Sequence, residues 1–271
     1  MKKERVDVLA FNQGLFETRE KAKRGVMAGL VYDQKNERLD KPGEKISIET
    51  ILQIKGQRLA YVSRGGLKLE KALKEFDVDI EQKILLDIGS STGGFTDVAL
   101  QNGATLSYAL DVGYNQLAWK LRQDERVVVM ERTNFRYSKL ADFDQGQPNF
   151  ATIDVSFISL KLILPPLHEI LTENGDVVAL IKPQFEAGKE YVGKKGIIKD
   201  SKIHLMVLEE ITDFAVSHGF DVQELTFSPI TGGEGNIEFL AHLKKVAETG
   251  VLNPEINLET VVSEAHQQLD K

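Results

Sequence analysis

The sequence predicts a mostly parallel α/β sheet covered by helices on both faces, preceded by a small basic α+β module. Three observations carry this. From Lys83 onward, short apolar runs alternate with helix-period segments, the pattern of repeated strand–helix units. The first such run ends in an acidic residue and a glycine-rich loop, where open parallel sheets place their ligands. Residues 1–60 hold 13 Lys and Arg against 9 Asp and Glu, whereas 61–271 hold 21 against 32. The net charge of −7 therefore divides into +4 and −11.

Residues 3–30 read as two short helices about a turn at Gly14, with Val6, Leu9 and Ala10 at helical spacing. Thr18 suits the start of the second helix, which carries Arg19, Lys21, Lys23 and Arg24. "GLVYDQKNERLDKPGEKIS" reads as short strands separated by polar turns. Gly65-Gly66 marks a bend, after which Leu67, Leu69, Leu73 and Phe76 begin a helix, so 61–82 is a linker with a first helix. The body occupies 83–246. Strands are predicted at 83–88, 106–110, 127–130, 150–154, 176–181, 222–228 and 237–243, and helices at 94–102, 115–123, 158–172 and 201–218. The last two strands lack a clear intervening helix and predict an antiparallel pair. Residues 247–271 read as a tail ending in an amphipathic helix with Val261, Val262, Ala265 and Leu269 on one side.

Composition excludes several classes. With no cysteine there is no disulfide framework and no thiolate metal site. The five histidines show no metal-ligand spacing, so no metal is expected. "MKKERVDVLAF" lacks the apolar core of a signal peptide. The longest apolar patch, "FISLKLILPPLHEIL", is broken by Lys161 and Pro165-Pro166, well short of the roughly 20 residues of a span. A cytoplasmic protein without a membrane partner is the expectation, and a membrane-lytic activity is disfavoured.

The loop "LLDIGSSTGGFTDV" is the first chemical signal. Asp87 closes the strand, and Gly89, Gly93 and Gly94 follow as G-x-x-x-G-G. A dinucleotide's diphosphate would want G-x-G-x-x-G at the helix start; here Ser90, Ser91 and Thr92 stand between the glycines. Asp111 ends the next strand 17 residues beyond Gly94, where an acid can accept hydrogen bonds from both ribose hydroxyls. An adenosine without a diphosphate fits, and S-adenosylmethionine is the expected cofactor. Its site is predicted from Asp87, Gly89 to Gly94, Phe95 and Asp111, with Asp154 beside the methyl. Phe157 packs either on the ligand or in the core.

Four further polar residues stand where a buried sheet would avoid them: Lys68 after "SRGG", Asp154 ending "FATID", Lys182 ending "VVALIK" and Glu238 in "GNIEFL". Each has an ordinary alternative: a solvated helix lysine, a helix cap, a strand-end lysine, a solvent-facing edge carboxylate. Taken together, "YVSRGGLKL", "LLDIGSSTGGFTDV", "ATIDVSFISL", "ALIKPQFE" and "GNIEFL" resemble the TlyA family of ribosomal RNA 2′-O-methyltransferases, also labelled haemolysin-like. The later part is similar to the wider FtsJ (RrmJ) class. The first 60 residues resemble the small RNA-binding domain of the ribosomal protein S-four type.

The resemblance implies a Rossmann-like methyltransferase fold, with a seven-stranded sheet and an antiparallel last strand. It implies cytidine ribose in ribosomal RNA or ribosomal subunits as substrate, and a catalytic tetrad at Lys68, Asp154, Lys182 and Glu238. RNA contacts are expected from Arg5, Arg19, Lys21, Lys23, Arg24 and Arg64; the Gly- and Lys-rich loop "QFEAGKEYVGKKGIIKD" reads either as a further contact to phosphates or as a mobile surface loop. A ribose hydroxyl is a poor nucleophile, so the protein must position it and remove one proton; Lys182 is the expected acceptor. A non-catalytic RNA-binding assembly factor is the remaining alternative.

Overall fold

The computed structural model describes residues 3–27, 29–35, 37–55, 60–193, 196–232 and 235–269. The chain divides into two compact units, Met1–Ala60 and Tyr61–Lys271.

In the first unit, β1 (Lys3–Arg5) leads into α1 (Val6–Asn12), followed by α2 (Arg19–Met27), β2 (Val31–Asp33), β3 (Arg38–Leu39), β4 (Lys45–Ser47) and β5 (Leu52–Ile54). β1 pairs antiparallel with β4, and β2 lies between β3 and β5. The helices bury Val6, Leu9, Ala10, Ala22 and Val26 against Val31 and Leu52, the apolar spacing seen in the sequence. Arg5 ends a strand rather than riding on the first helix, because Lys3–Arg5 finds an edge to pair with.

The second unit begins with α3 (Gly66–Glu75). It continues through β6 (Ile84–Ile88), α4 (Gly94–Gln101), β7 (Leu106–Leu110), α5 (Trp119–Arg122), β8 (Val127–Met130), β9 (Phe150–Ile153), α6 (Leu164–Ile170) and β10 (Asp176–Ile181). The chain then forms α7 (Pro183–Glu186), α8 (Ser201–Ser217), β11 (Phe220–Phe227), β12 (Phe239–Lys245) and α9 (Leu258–Leu269). One seven-stranded sheet runs in the order β11-β12-β10-β9-β6-β7-β8. All its pairs are parallel except those of β12, which is antiparallel to both neighbours. Alternate strand residues feed two cores: Leu86, Ile153 and Ala179 on one face, Leu85, Phe150 and Leu180 on the other. That explains why the strands read as nearly continuous apolar runs.

β6 is followed in sequence by β7 on one side and flanked by β9 on the other, so the strand order reverses between β6 and β9. The crevice beyond their carboxyl ends is the place for a ligand.

Two helices are shorter than the sequence predicts. Residues 115–123 give only Trp119–Arg122, since Asn115 adopts φ +57° and breaks the run. Residues 158–172 divide into a 3₁₀ turn, Leu160–Leu162, and α6, because Pro165 and Pro166 fit only a first helical turn.

Candidate active site

The glycine loop is shaped by two converging strand ends. Gly89 has φ +86°, and a Cβ there would lie 2.5 Å from the Asp154 carbonyl oxygen. Gly89 N and Ser90 N both donate to Leu110 O, at 2.8 and 3.0 Å, which fastens the loop to β7. Gly93, at φ +95°, sits at the cap of α4, where a Cβ would strike Leu121 Cδ1 at 2.3 Å. Phe95 and Ser90 are buried, Thr92 is partly buried and Ser91 is exposed with φ +48°.

Asp87 lies on the cavity floor, but its oxygens are engaged within the protein. Oδ2 accepts from Thr96 N (3.1 Å) and Thr96 Oγ1 (2.8 Å), and Oδ1 accepts from Thr152 Oγ1 (3.0 Å). Burial pushes its carboxyl up to about 6, against the opposing pull of those donors. Asp87 therefore positions α4 and β9. Asp111 is partly exposed: Oδ2 accepts from Ser91 N (2.8 Å) and Oδ1 from Gly113 N (2.7 Å), so it is oriented while facing the crevice.

The four polar residues singled out in the sequence meet at one place. Lys68 comes from the first turns of α3, Asp154 follows β9, Lys182 follows β10 and Glu238 immediately precedes β12. Lys182 Nζ lies 2.5 Å from Asp154 Oδ1; Lys68 Nζ lies 3.4 Å from Asp154 Oδ2 and 2.7 Å from Glu238 Oε2. The charges alternate along this chain. Lys68 and Lys182 are each 7% exposed and Glu238 2%, so none is a solvated surface group. Burial alone would depress the Lys68 ammonium, but the Asp154 and Glu238 carboxylates raise it above the ordinary lysine value. Burial would likewise raise Asp154, but the two lysines hold it below the usual carboxylate range.

Two residues that the sequence reading passed over complete the cluster. Gln184 Nε2 donates to Glu238 Oε1 at 3.1 Å, and Ser156 Oγ lies 3.5 Å from Lys182 Nζ. Gln184 stands two residues after Lys182 in "KPQFE", a nearness that gave no signal of its own.

The cluster lines a cavity of ≈ 580 Å³ that also touches Gly89, Ser90 and Gly94. A second lobe of ≈ 460 Å³ shares Gly89, Ser91, Asp154 and Phe157 with it. This lobe has an apolar lining of Ile88, Leu110, Phe135 and Ile163, with Asp111 and Asn134 at its polar side. Val112, Asn134 and Phe135 were not anticipated, since neither the residues beyond Asp111 in the loop after β7 nor the short loop after β8 carry a motif. The two lobes can hold a nucleoside-sized ligand beside a separate acceptor. Phe157 is 90% exposed, adopts φ +64° and lies 5.0 Å from the Phe185 ring, so it is not a core residue.

A family model for FtsJ-like methyltransferases matches residues 61–245. The chain belongs to the FtsJ-like methyltransferase family. Over 99% of this chain and 96% of the relative, it is 64% identical to the Bacillus subtilis protein named "Putative rRNA methyltransferase YqxC". It is 38% identical, over 89% of each chain, to a Mycobacterium tuberculosis protein named 16S/23S rRNA (cytidine-2′-O)-methyltransferase TlyA. A solved structure titled "Putative hemolysin from Streptococcus thermophilus" matches at 62% identity and a TM-score of 0.80, covering 100% of this chain and 98% of that one. As a family member, the chain is a methyltransferase.

The cations expected to meet RNA are placed as follows. Arg5 is held by Asp7 through two hydrogen bonds of 2.9 and 2.8 Å, which lower the Asp7 carboxyl. Lys21 pairs with Glu17 and Arg24 with Glu20, while Arg19, Lys23 and Arg64 are exposed. Lys194 and Lys195 of the Lys-rich loop lie outside the described residues. Among the described residues, no group of three or more His, Asp or Glu is placed to hold a metal ion.

Proposed function

We propose that this methyltransferase moves the methyl group of S-adenosylmethionine to the 2′-hydroxyl of a cytidine in ribosomal RNA. One observation carries the reading: the alternating chain Lys182–Asp154–Lys68–Glu238 lines a cavity contiguous with the Asp111 lobe. The residues present fit the cofactor. Asp111 would receive the ribose hydroxyls, Leu110, Phe135 and Ile163 the adenine, and the glycine-relieved loop Gly89–Gly94 the amino-acid end. When bound, S-adenosylmethionine supplies an activated methyl on a sulfonium.

The chain's own residues supply the rest. Lys68, gripped by two carboxylates, stays an ammonium and faces the oxygen that gains negative charge. Lys182, in contact with Asp154 and the Ser156 hydroxyl, is the group placed to take the proton from the ribose hydroxyl at Nζ, with Asp154 holding the side chain in position. Glu238 and Gln184 hold Lys68 in register. The first unit, like the S-four-type domain it resembles, would grip RNA through Arg19, Lys23 and their neighbours. A cytoplasmic setting belongs to the same proposal; among the described residues no helix is long and apolar enough to cross a membrane.

The test is transfer of labelled methyl from S-adenosylmethionine to separated small and large ribosomal subunits. Incorporation into at least one is expected, and none into either would overturn the substrate.

A further inference from the structure

The second unit carries an island that its acidic surroundings do not explain. Residues 112–139 hold six Lys and Arg against three Asp and Glu, +3, while the remainder of 61–271 sums to −14. Within the same stretch Trp119 and Tyr137 are 70% and 71% exposed, unusual for side chains of that size. Arg136 lies over the Tyr137 ring at 5.6 Å, and Arg132 over the Tyr114 ring at 4.2 Å. Among the described residues, Arg132, Arg136 and Lys139 form no ion pair with a carboxylate, unlike Arg5, Lys21 and Arg24 of the first unit.

The loop after β7, α5 and the loop after β8 are fastened together: Gln116 N donates to Glu131 Oε1 at 3.2 Å, Arg122 of α5 also pairs with Glu131, and Arg132 N donates to Gly113 O at 3.0 Å. The residues between the two aromatics, Thr133, Asn134 and Phe135, line the Asp111 lobe. With Val112 and Gln116, these residues bring the stretch to the edge of the proposed cofactor site.

We propose that this rim is a platform for unpaired RNA bases beside the target nucleotide. Trp119 and Tyr137 offer flat faces for stacking, and Arg132, Arg136 and Lys139 meet the phosphates. Open aromatic faces interleaved with unpaired cations suit a single strand, whose bases are free to stack, better than a duplex, whose bases are hidden. The inference deepens the ribosomal RNA reading and rests on it for the identity of the strand.

The full chain is titrated with labelled single-stranded oligocytidylate, with a labelled RNA duplex, and with vesicles of phosphatidylglycerol and phosphatidylcholine. Trp119→Ala/Tyr137→Ala should weaken oligocytidylate binding by roughly tenfold or more, the scale of losing one or two stacked bases. Duplex binding and S-adenosylhomocysteine binding should hold. Arg136→Glu should weaken the same complex and lower its salt dependence. Both sets of side chains are solvent-exposed, so the thermal midpoint should stay near that of the wild type. Wild-type oligocytidylate affinity in the double variant overturns the platform, as does a variant that loses vesicle binding while keeping RNA binding. Methyl transfer by the wild type to ribosomal subunits is measured alongside. Transfer with an unaffected double variant sinks the platform alone; absent transfer with the binding loss intact sinks the ribosomal reading and leaves the platform.

Discussion

Asp154 and Lys182, each the first residue beyond its strand, are joined at 2.5 Å across the neighbouring ends of β9 and β10. The other oxygen of Asp154 reaches Lys68 from α3. One carboxylate thus fixes the spacing of two buried lysines, and the parallel register of β9 with β10 sets it. A poor nucleophile needs such a fixed arrangement, because small displacements of reacting groups cost large factors in rate.

Gln184→Glu keeps the shape of the side chain but replaces the amide donor facing Glu238 with a second carboxylate. Turnover should fall by about tenfold or more, with little change in the KM for S-adenosylmethionine. Gln184→Met, which leaves Glu238 one donor short without adding charge, should fall less. A residue that only filled space would tolerate the glutamate; steady-state kinetics of both variants separates the two cases.

Asp111→Ala removes the acid at the polar side of the nucleoside-sized lobe and frees Ser91 N and Gly113 N. The affinity for S-adenosylhomocysteine should fall by roughly tenfold to a hundredfold, as expected for hydrogen bonds to a charged group. Calorimetric titration reads this directly, and unchanged affinity would remove Asp111 from the cofactor site.

Gly89→Ala would force a Cβ to within 2.5 Å of the Asp154 carbonyl oxygen at a φ of +86°. The strain should cost about 1–3 kcal/mol of stability and displace the Asp154 backbone. Thermal unfolding and methyl transfer should both suffer. A variant with wild-type stability would mean the loop relaxes freely.

Asp87 makes stability depend on pH in a direction opposite to most carboxylates. Its native value is raised to about 6, so between about pH 4 and 6 the folded chain keeps a proton that the unfolded chain has already released. Stability supplied by the protonated group is therefore lost as pH rises through that window. Relative to Asp87→Asn, the wild type should lose about 2 kcal/mol from pH 4 to pH 7. Asp154, held low by its lysines, changes stability on the acid side of this window. Denaturant titrations of the pair at several pH values test this; a constant difference would contradict it.

The sheet was legible because buried parallel strands are apolar throughout, and because Asp87, Asp111, Asp154 and Lys182 interrupt that apolarity at or beside strand ends. Shorter helices were harder to read. Nothing in "NQLAWKLRQ" announces that Asn115 leaves the helical region, and the prolines of α6 mark a start as easily as a break. Glu238 looked compatible with a solvent-facing edge until β12 proved to lie between β10 and β11, a placement that depends on long-range pairing rather than local pattern. The lining of the second lobe comes from loops whose side chains converge only after folding. Asp87 lines the cavity, and its oxygens also accept from Thr96 and Thr152, a pairing that its position beside the glycines does not announce.

Ribose methylation with Lys182 as proton acceptor leaves a direct chemical signature. The most direct measurement is nucleoside mass spectrometry of ribosomal RNA from subunits incubated with S-adenosylmethionine and either the wild type or Lys182→Ala. The wild type should produce 2′-O-methylcytidine. Lys182→Ala should produce at least about a hundredfold less, while still binding S-adenosylhomocysteine. A methyl found on a base instead of a ribose, or near-normal yield from Lys182→Ala, would rule out this chemistry.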